Sequence, residues 1–174
     1  MRDDSLLIPA ITILAGLIGL LIWPFVAIFF HEFGHAATGK LIGLTPTHFV
    51  VGHPDEDAPL FSFQLFGCKF ECWPLPFGGA TFFSRLPTDG LRMFIITVGG
   101  PVMDALVIFV STLLWHYTFL RFGLFFIILS QSLDMLINLI PRSFRYAGVR
   151  IPNDGKILLQ LLAGKGPDPI SRCN

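Results

Sequence analysis

The chain has 174 residues, of which 53% are hydrophobic and only 14% charged, with 12 basic against 12 acidic side chains. A soluble domain carries about 25% charged residues, so charge is depleted more than apolar content is raised, and lipid is the expected solvent. Zero net charge without a basic stripe excludes a nucleic-acid partner. Cys68, Cys72 and Cys173 form no disulfide framework, and the length allows a single domain.

Ser5 to Phe30 run 26 residues without a charge. That exceeds the roughly 20 needed to span a bilayer, and it is too long for the apolar part of a cleavable signal. Pro24 is expected to kink this helix. The helical pattern continues through His31-Glu32-Phe33-Gly34-His35 to about Leu44, where Gly43 and Pro46 are stop signals. A first span over about 6–44 follows. His31 and His35 are four apart and share a helix face. Two imidazoles so placed can hold a zinc ion, and Glu32 beside them can serve as a base toward water. The bland alternative is an exposed face of a soluble helix. Ionisable residues at membrane depth are costly and mark function, so the setting favours the metal site.

Residues 45–90 are not expected to span. His48 to Pro59 reads as a polar loop with Asp55, Glu56 and Asp57 together. Phe61, Phe63 and Leu65 alternate with polar residues, as do Cys68, Phe70 and Cys72, which predicts a hairpin turning near Phe66-Gly67. Pro74, Pro76, Gly78 and Gly79 predict irregular backbone, tolerated near a membrane only where protein buries it or water reaches it.

A second span is expected over about 91–120, with Gly99-Gly100-Pro101 near its start and Asp104 and His116 inside it. A third, about 124–140, carries Gln131, Asp134 and Asn138 on one polar stripe. Pro141 ends it. Arg142 to Arg150 reads as a basic loop. Asn153-Asp154-Gly155 and a short apolar helix follow, about 153–163, and the Gly- and Pro-rich tail is expected to fray. The fold class is thus an α-helical integral membrane protein of about three spans, with a membrane-associated β-hairpin region between the first and second.

Ten basic residues fall with the hairpin region and the C-terminal part, and two, Arg2 and Arg121, on the other side. This places the hairpin and the C-terminus in the cytoplasm and the N-terminus outside, and it leaves Cys68 and Cys72 free in a reducing compartment. At 1.5 Å per residue, residue 31 lies roughly 38 Å along a straight helix from residue 6, beyond a hydrocarbon core of about 30 Å. The histidine pair should therefore sit near the cytoplasmic edge, level with Asn138 and Asp154. A catalytic zinc takes three protein ligands plus water. From the residues alone, Asp154, Asp134 and Asp104 are candidates for the third ligand, ahead of His116, His48 and His53. By itself Asn-Asp-Gly is an ordinary turn.

Taken together, these motifs resemble the site-2 protease family of intramembrane zinc metalloproteases, in a compact three-span form, over about Leu6 to Leu162. His-Glu-Phe-Gly-His resembles the family's first core helix. Pro76-Phe77-Gly78-Gly79 is similar to its Pro-Leu-Gly-Gly segment, and Gly99-Gly100-Pro101-Val102-Met103-Asp104 to its Gly-Pro-x-x-Asn segment, with Asp104 in place of Asn. Asn138-Leu139-Ile140-Pro141 and Asn153-Asp154-Gly155 resemble its Asn-x-x-Pro and Leu-Asp-Gly pair, with twelve residues between Pro141 and Asp154 where the family has a short link. The resemblance implies one zinc per chain held by His31, His35 and Asp154; because of the longer link before Asp154, Asp134 stands as the reserve ligand. It implies Glu32 as general base and Asn138 as a positioner of substrate or oxyanion. Gly78 and Gly79 would lie where an extended substrate adds to the β-region. The implied activity is hydrolysis of a peptide bond in or near a transmembrane segment of another protein. Rival readings are a catalytically silent zinc-binding membrane protein that binds client helices, and a metal-lined transporter. Three spans are few for a transporter unless the chain forms a homo-oligomer.

Overall fold

A computed structural model describes residues 7–53, 58–116, 121–146, 149–166 and 171–172. Arg2, the acidic run Asp55-Glu56-Asp57 and Cys173 lie outside the described residues.

Helix α1 (Leu7–Leu41) runs as one helix with Pro24 inside it. It ends where the sequence says it should. Gly43 takes the left-handed conformation (φ 83°), and Leu44 N–H and Gly43 N–H return to the Gly39 and Lys40 carbonyls at 2.9 and 3.1 Å, a Schellman cap. Helix α2 (Gly90–Trp115) starts at Asp89, whose carboxylate accepts the Arg92 N–H at 2.8 Å. Helix α3 (Arg121–Leu139) follows, and the short α4 (Asp154–Leu162) is capped by Asn153.

Segments Gly16–Leu41 and Gly90–Trp115, 26 residues each, are long and apolar enough to cross a membrane, and only 22% and 33% of their apolar windows are buried. The core helix of a soluble protein would be mostly covered. Here Leu20, Leu21, Phe109 and Leu113 stand exposed, Leu21 at 69%. Exposed apolar surface on this scale is unfavourable in water. Gly123–Leu139 is a shorter apolar helix.

α1 and α2 touch backbone to backbone. A Cβ at Gly99 would lie 2.6 Å from the Gly34 carbonyl oxygen and would also meet the Thr38 hydroxyl. Gly34 and Thr38 are four apart on one face, the small-residue spacing that lets apolar helices approach closely without a hydrophobic driving force. This closeness brings α2 within reach of the histidines of α1.

In chain order, α1 and α2 are joined by a four-stranded sheet in the order β2-β3-β1-β4, from β1 (Pro46–Val51), β2 (Phe61–Leu65), β3 (Cys68–Cys72) and β4 (Gly79–Phe83). The predicted hairpin is β2–β3, paired Leu65 to Cys68 and Phe61 to Cys72. Its turn has φ 50° at Phe66 and 80° at Gly67, the two positive values that match the twist of a two-residue hairpin. The loop reading of residues 48–51 is corrected: they form β1, an inner strand parallel to β3 and antiparallel to β4. His48 masked the pattern, but Phe49, Val50 and Val51 are all buried, as an inner strand packed on a helix requires. Phe49 joins Ile28 and Val51 in the sheet–α1 core and meets the rings of Phe29 and Phe70 at 5.4 and 5.0 Å. Cys68 and Cys72 are unbonded, and burial pushes both thiols up.

Two further corrections concern the C-terminal part. The basic stretch after Pro141 is not a plain loop. Its described residues form a hairpin, β5 (Ser143–Tyr146) against β6 (Val149–Pro152). The tail also returns to the fold: β7 (Ser171–Arg172) pairs with β6. Alternating apolar and polar residues are too few in strands of four and two residues to reveal period two in the sequence.

Candidate metal centre

His31 and His35 project from the C-terminal half of α1 into the cleft where α2 and α4 meet it, and both are buried. Each ring is oriented by its Nδ1. His35 Nδ1–H donates to the Ile96 carbonyl of α2 at 2.8 Å. A carbonyl only accepts, so this bond fixes the proton on Nδ1 and leaves Nε2 of the neutral ring as a lone pair. His31 Nδ1 lies 2.7 Å from Asp104 Oδ2, which fixes the same tautomer.

Both Nε2 atoms point to one place, and α4 brings a carboxylate to it. His31 Nε2 and His35 Nε2 are 3.1 Å apart. Asp154 Oδ2 is 2.9 Å from the first and 3.2 Å from the second. Two lone pairs and a carboxylate oxygen so close repel one another unless a cation or proton lies among them. Ligand atoms tetrahedral about zinc at about 2.0–2.1 Å stand about 3.4 Å apart, so the triangle needs only a few tenths of an ångström of opening. Two imidazoles and one carboxylate, with a fourth position left open, are a donor set suited to catalytic zinc.

Asp154 reaches this position through its neighbours. Asn153 caps α4, accepting the Lys156 N–H at 3.2 Å. Its amide also donates to the Asn138 and Ile140 carbonyls at the end of α3, at 3.0 and 2.7 Å. Gly155 closes the joint, since a Cβ there would lie 2.5 Å from the Leu139 carbonyl carbon. The Asn-Asp-Gly sequence is thus a cap, a carboxylate facing both imidazoles and a close-packed glycine in succession.

The other carboxylates fall on the far side of His31. Asp104 is fully buried, receives the His31 Nδ1–H, and also accepts from the Gln131 amide. Asp134 Oδ2 is 3.4 Å from His31 Nδ1 and accepts the Asn138 amide at 3.2 Å. Among the three sequence candidates for the third ligand, only Asp154 faces the Nε2 side. A carboxylate behind a metal-ligating imidazole holds its orientation and raises its basicity. Asp104→Ala is therefore expected to weaken zinc binding by about 10–100-fold, with Asp104→Asn restoring part of the loss. Competition with a fluorescent zinc chelator measures both.

Glu32 is buried beside the triangle. His31, Glu32 and His35 each offer a ligand-type atom within 4.8 Å of the others. Thr81 of β4, a residue without any sequence signal, donates its hydroxyl to Glu32 Oε2 at 2.8 Å. Gly79 lies against the Glu32 stem, where a Cβ would be 2.7 Å from Glu32 Cγ. Gly78, at φ 131°, has open space around it. The triangle, Glu32 and Asn138 all open onto one cavity of ≈ 390 Å³, lined also by β4 from Gly79 to Phe83. His48 pairs with Glu71 on the sheet at 3.1 Å. His116 lies at the other end of α2, where it caps the helix.

Fold and site together place two buried imidazoles and a set of carboxylates, a group that could hold a metal ion, between apolar helices. The family profile described as Peptidase M50B-like matches residues 6–145, and the chain belongs to this family of peptidases. That agrees with the resemblance to the site-2 proteases. No curated protein matches the chain.

Proposed function

We propose that the protein is a zinc-dependent intramembrane endopeptidase that cuts a transmembrane protein in or near its spanning segment. The observation that carries this reading is the convergence of His31 Nε2, His35 Nε2 and Asp154 Oδ2 within 3.2 Å, with Glu32 alongside. His31, His35 and Asp154 hold one zinc per chain. When bound, zinc supplies Lewis acidity, polarising the scissile carbonyl and acidifying a water.

Glu32 accepts the proton of the attacking water and returns it to the leaving amine. The Thr81 hydroxyl keeps one Glu32 oxygen in place, leaving the other for proton transfer. Asn138 lines the same cavity and holds substrate or the developing oxyanion. A helical substrate has its carbonyls in hydrogen bonds and must unwind before attack. β4 is an edge strand whose free side, beginning at Gly78-Gly79, offers backbone partners to an unwound segment. A catalytically silent zinc protein has no use for a buried Glu32 held beside the ligands.

α3 serves as the third span. Its 19 residues extend about 28 Å, close to the hydrocarbon thickness. The basic residues set the N-terminus outside and the site near the cytoplasmic face. The working partners are a transmembrane substrate and the bilayer, and the chain can act alone or as a homo-oligomer.

Dialysis of the purified protein against a strong chelator is expected to abolish cleavage of a membrane-embedded test peptide. Zinc at one equivalent per chain restores it, with metal content read by atomic emission. Undiminished cleavage by metal-free protein would overturn the proposal.

A further inference from the structure

The twelve residues between Pro141 and Asp154 do more than link α3 to α4. They form β5–β6 and the residue after it, and four of them reach the cavity at the metal centre: Phe144 of β5, Ile151 and Pro152 of β6, and Asn153. Phe144 and Ile151 are directly paired across the hairpin, and paired residues project from the same face. That face is apolar where it meets the cavity. The hairpin base is tied to the site itself. Asn153 N–H donates to the Arg142 carbonyl at 3.0 Å, Arg142 N–H donates to Asn153 Oδ1 at 2.9 Å, and Lys156 Nζ donates to Ser143 Oγ at 3.0 Å. The residue that closes the hairpin is therefore the neighbour of Asp154.

The cavity lies between two sheets that share no hydrogen-bonded strand, β2-β3-β1-β4 and β5-β6-β7. One contributes β4, and the other contributes Phe144 and Ile151. At ≈ 390 Å³ the space is near the small end of the range for ligand cavities, about 300–1,000 Å³. An extended backbone along β4 would take up part of this space, so a side chain it carries into the cavity shares the remainder with Phe144 and Ile151.

We infer that the β5–β6 hairpin is the second wall of the substrate slot, and that Phe144 and Ile151 select small apolar side chains next to the scissile bond. This rests on the peptidase reading above. It assigns specificity to a segment that no motif covers, on a wall opposite the strand that binds backbone.

The test uses the full chain in micelles and a library of synthetic transmembrane peptides varied at one central position, with cleaved bonds identified by mass spectrometry. The wild type is expected to cut beside Ala, Ser or Val in preference to Phe or Trp. Phe144→Ala and Ile151→Ala, with Phe144→Leu and Ile151→Val as milder versions, should raise kcat/KM for Phe peptides relative to Ala peptides by tenfold or more, since one methylene in an apolar pocket is worth about 10–200-fold. An unchanged ratio with cleavage intact overturns the wall and leaves the peptidase standing. A Glu32→Gln variant that cuts like the wild type overturns the peptidase reading instead. Folding losses are bypassed by a photocrosslinking phenylalanine at position 144 in the Glu32→Gln background. Capture of a labelled Ala peptide, reduced by unlabelled Ala peptide and not by its Trp counterpart, supports the wall. Absence of capture overturns it.

Discussion

Glu32→Gln is expected to lower turnover by about 10²–10⁴-fold, the usual contribution of a positioned general base, while bound zinc stays at one per chain. The substitution is nearly isosteric. Gln keeps the methylene stem packed against Gly79 and can still accept the Thr81 hydroxyl, so the local structure has no reason to change. It also leaves untouched the three atoms of the donor triangle, His31 Nε2, His35 Nε2 and Asp154 Oδ2. What is lost is the ability to accept a proton. Turnover of a membrane-embedded peptide and metal content should be measured on the same preparation. Wild-type turnover in a zinc-loaded variant would remove Glu32 from the mechanism. Loss of zinc together with activity would recast it as a ligand.

The second large effect is expected at a residue with no chemistry of its own. A Cβ on Gly100 would lie 2.5 Å from His35 Nε2, 2.6 Å from His31 Nε2 and 2.7 Å from His31 Cε1. Both ligand nitrogens thus rest on the bare backbone of α2. Gly100→Ala must push at least one ring off the triangle, and neither ring is free to move. His35 is tied at Nδ1 to Ile96 of the same helix, and His31 to Asp104, one turn further along α2. Overpacking of this kind costs about 1–3 kcal/mol. Taken from metal binding, that is about 5–150-fold in zinc affinity, with cleavage falling in parallel at limiting zinc. Gly90→Ala is the matched control on the same helix, because a Cβ there meets only Leu161 at 3.8 Å. Equal zinc affinity in both variants would show that the rings tolerate a methyl group and that Gly100 serves helix packing alone.

How far the sequence could be read differs from part to part. The helices were legible because their signals are local: an uncharged run, a terminating glycine, an apolar stretch ended by proline. The β2–β3 hairpin was legible for the same reason, since two alternating runs flank a two-residue turn. β1 was not, because an inner strand buried against a helix needs no alternation and its own stretch begins with Pro46, Thr47 and His48. β5–β6 was hidden behind three arginines, which read as a loop, while the two residues that matter to the cavity, Phe144 and Ile151, are single apolar positions separated by that charge.

The metal centre divides along the same line. His31, Glu32 and His35 lie within five residues, and helical periodicity alone places the two imidazoles on one face with the carboxylate next to them. The sequence by itself determined this much, together with the apolar setting that makes three ionisable groups costly unless they have a function. Which carboxylate faces the Nε2 side is a different kind of question. Asp104, Asp134 and Asp154 are 73, 103 and 123 residues from His31 in the chain, and all three come near its ring. Only tertiary structure separates them: α2 and α3 bring the first two to Nδ1, and the Asn153-capped start of α4 brings the third to Nε2. Thr81 behind Glu32 and Gly100 beneath the rings were likewise decided in three dimensions. A hydroxyl or a missing methyl has meaning only through what packs against it, and the close approach of α1 and α2 at Gly34 and Gly99 is what sets that packing.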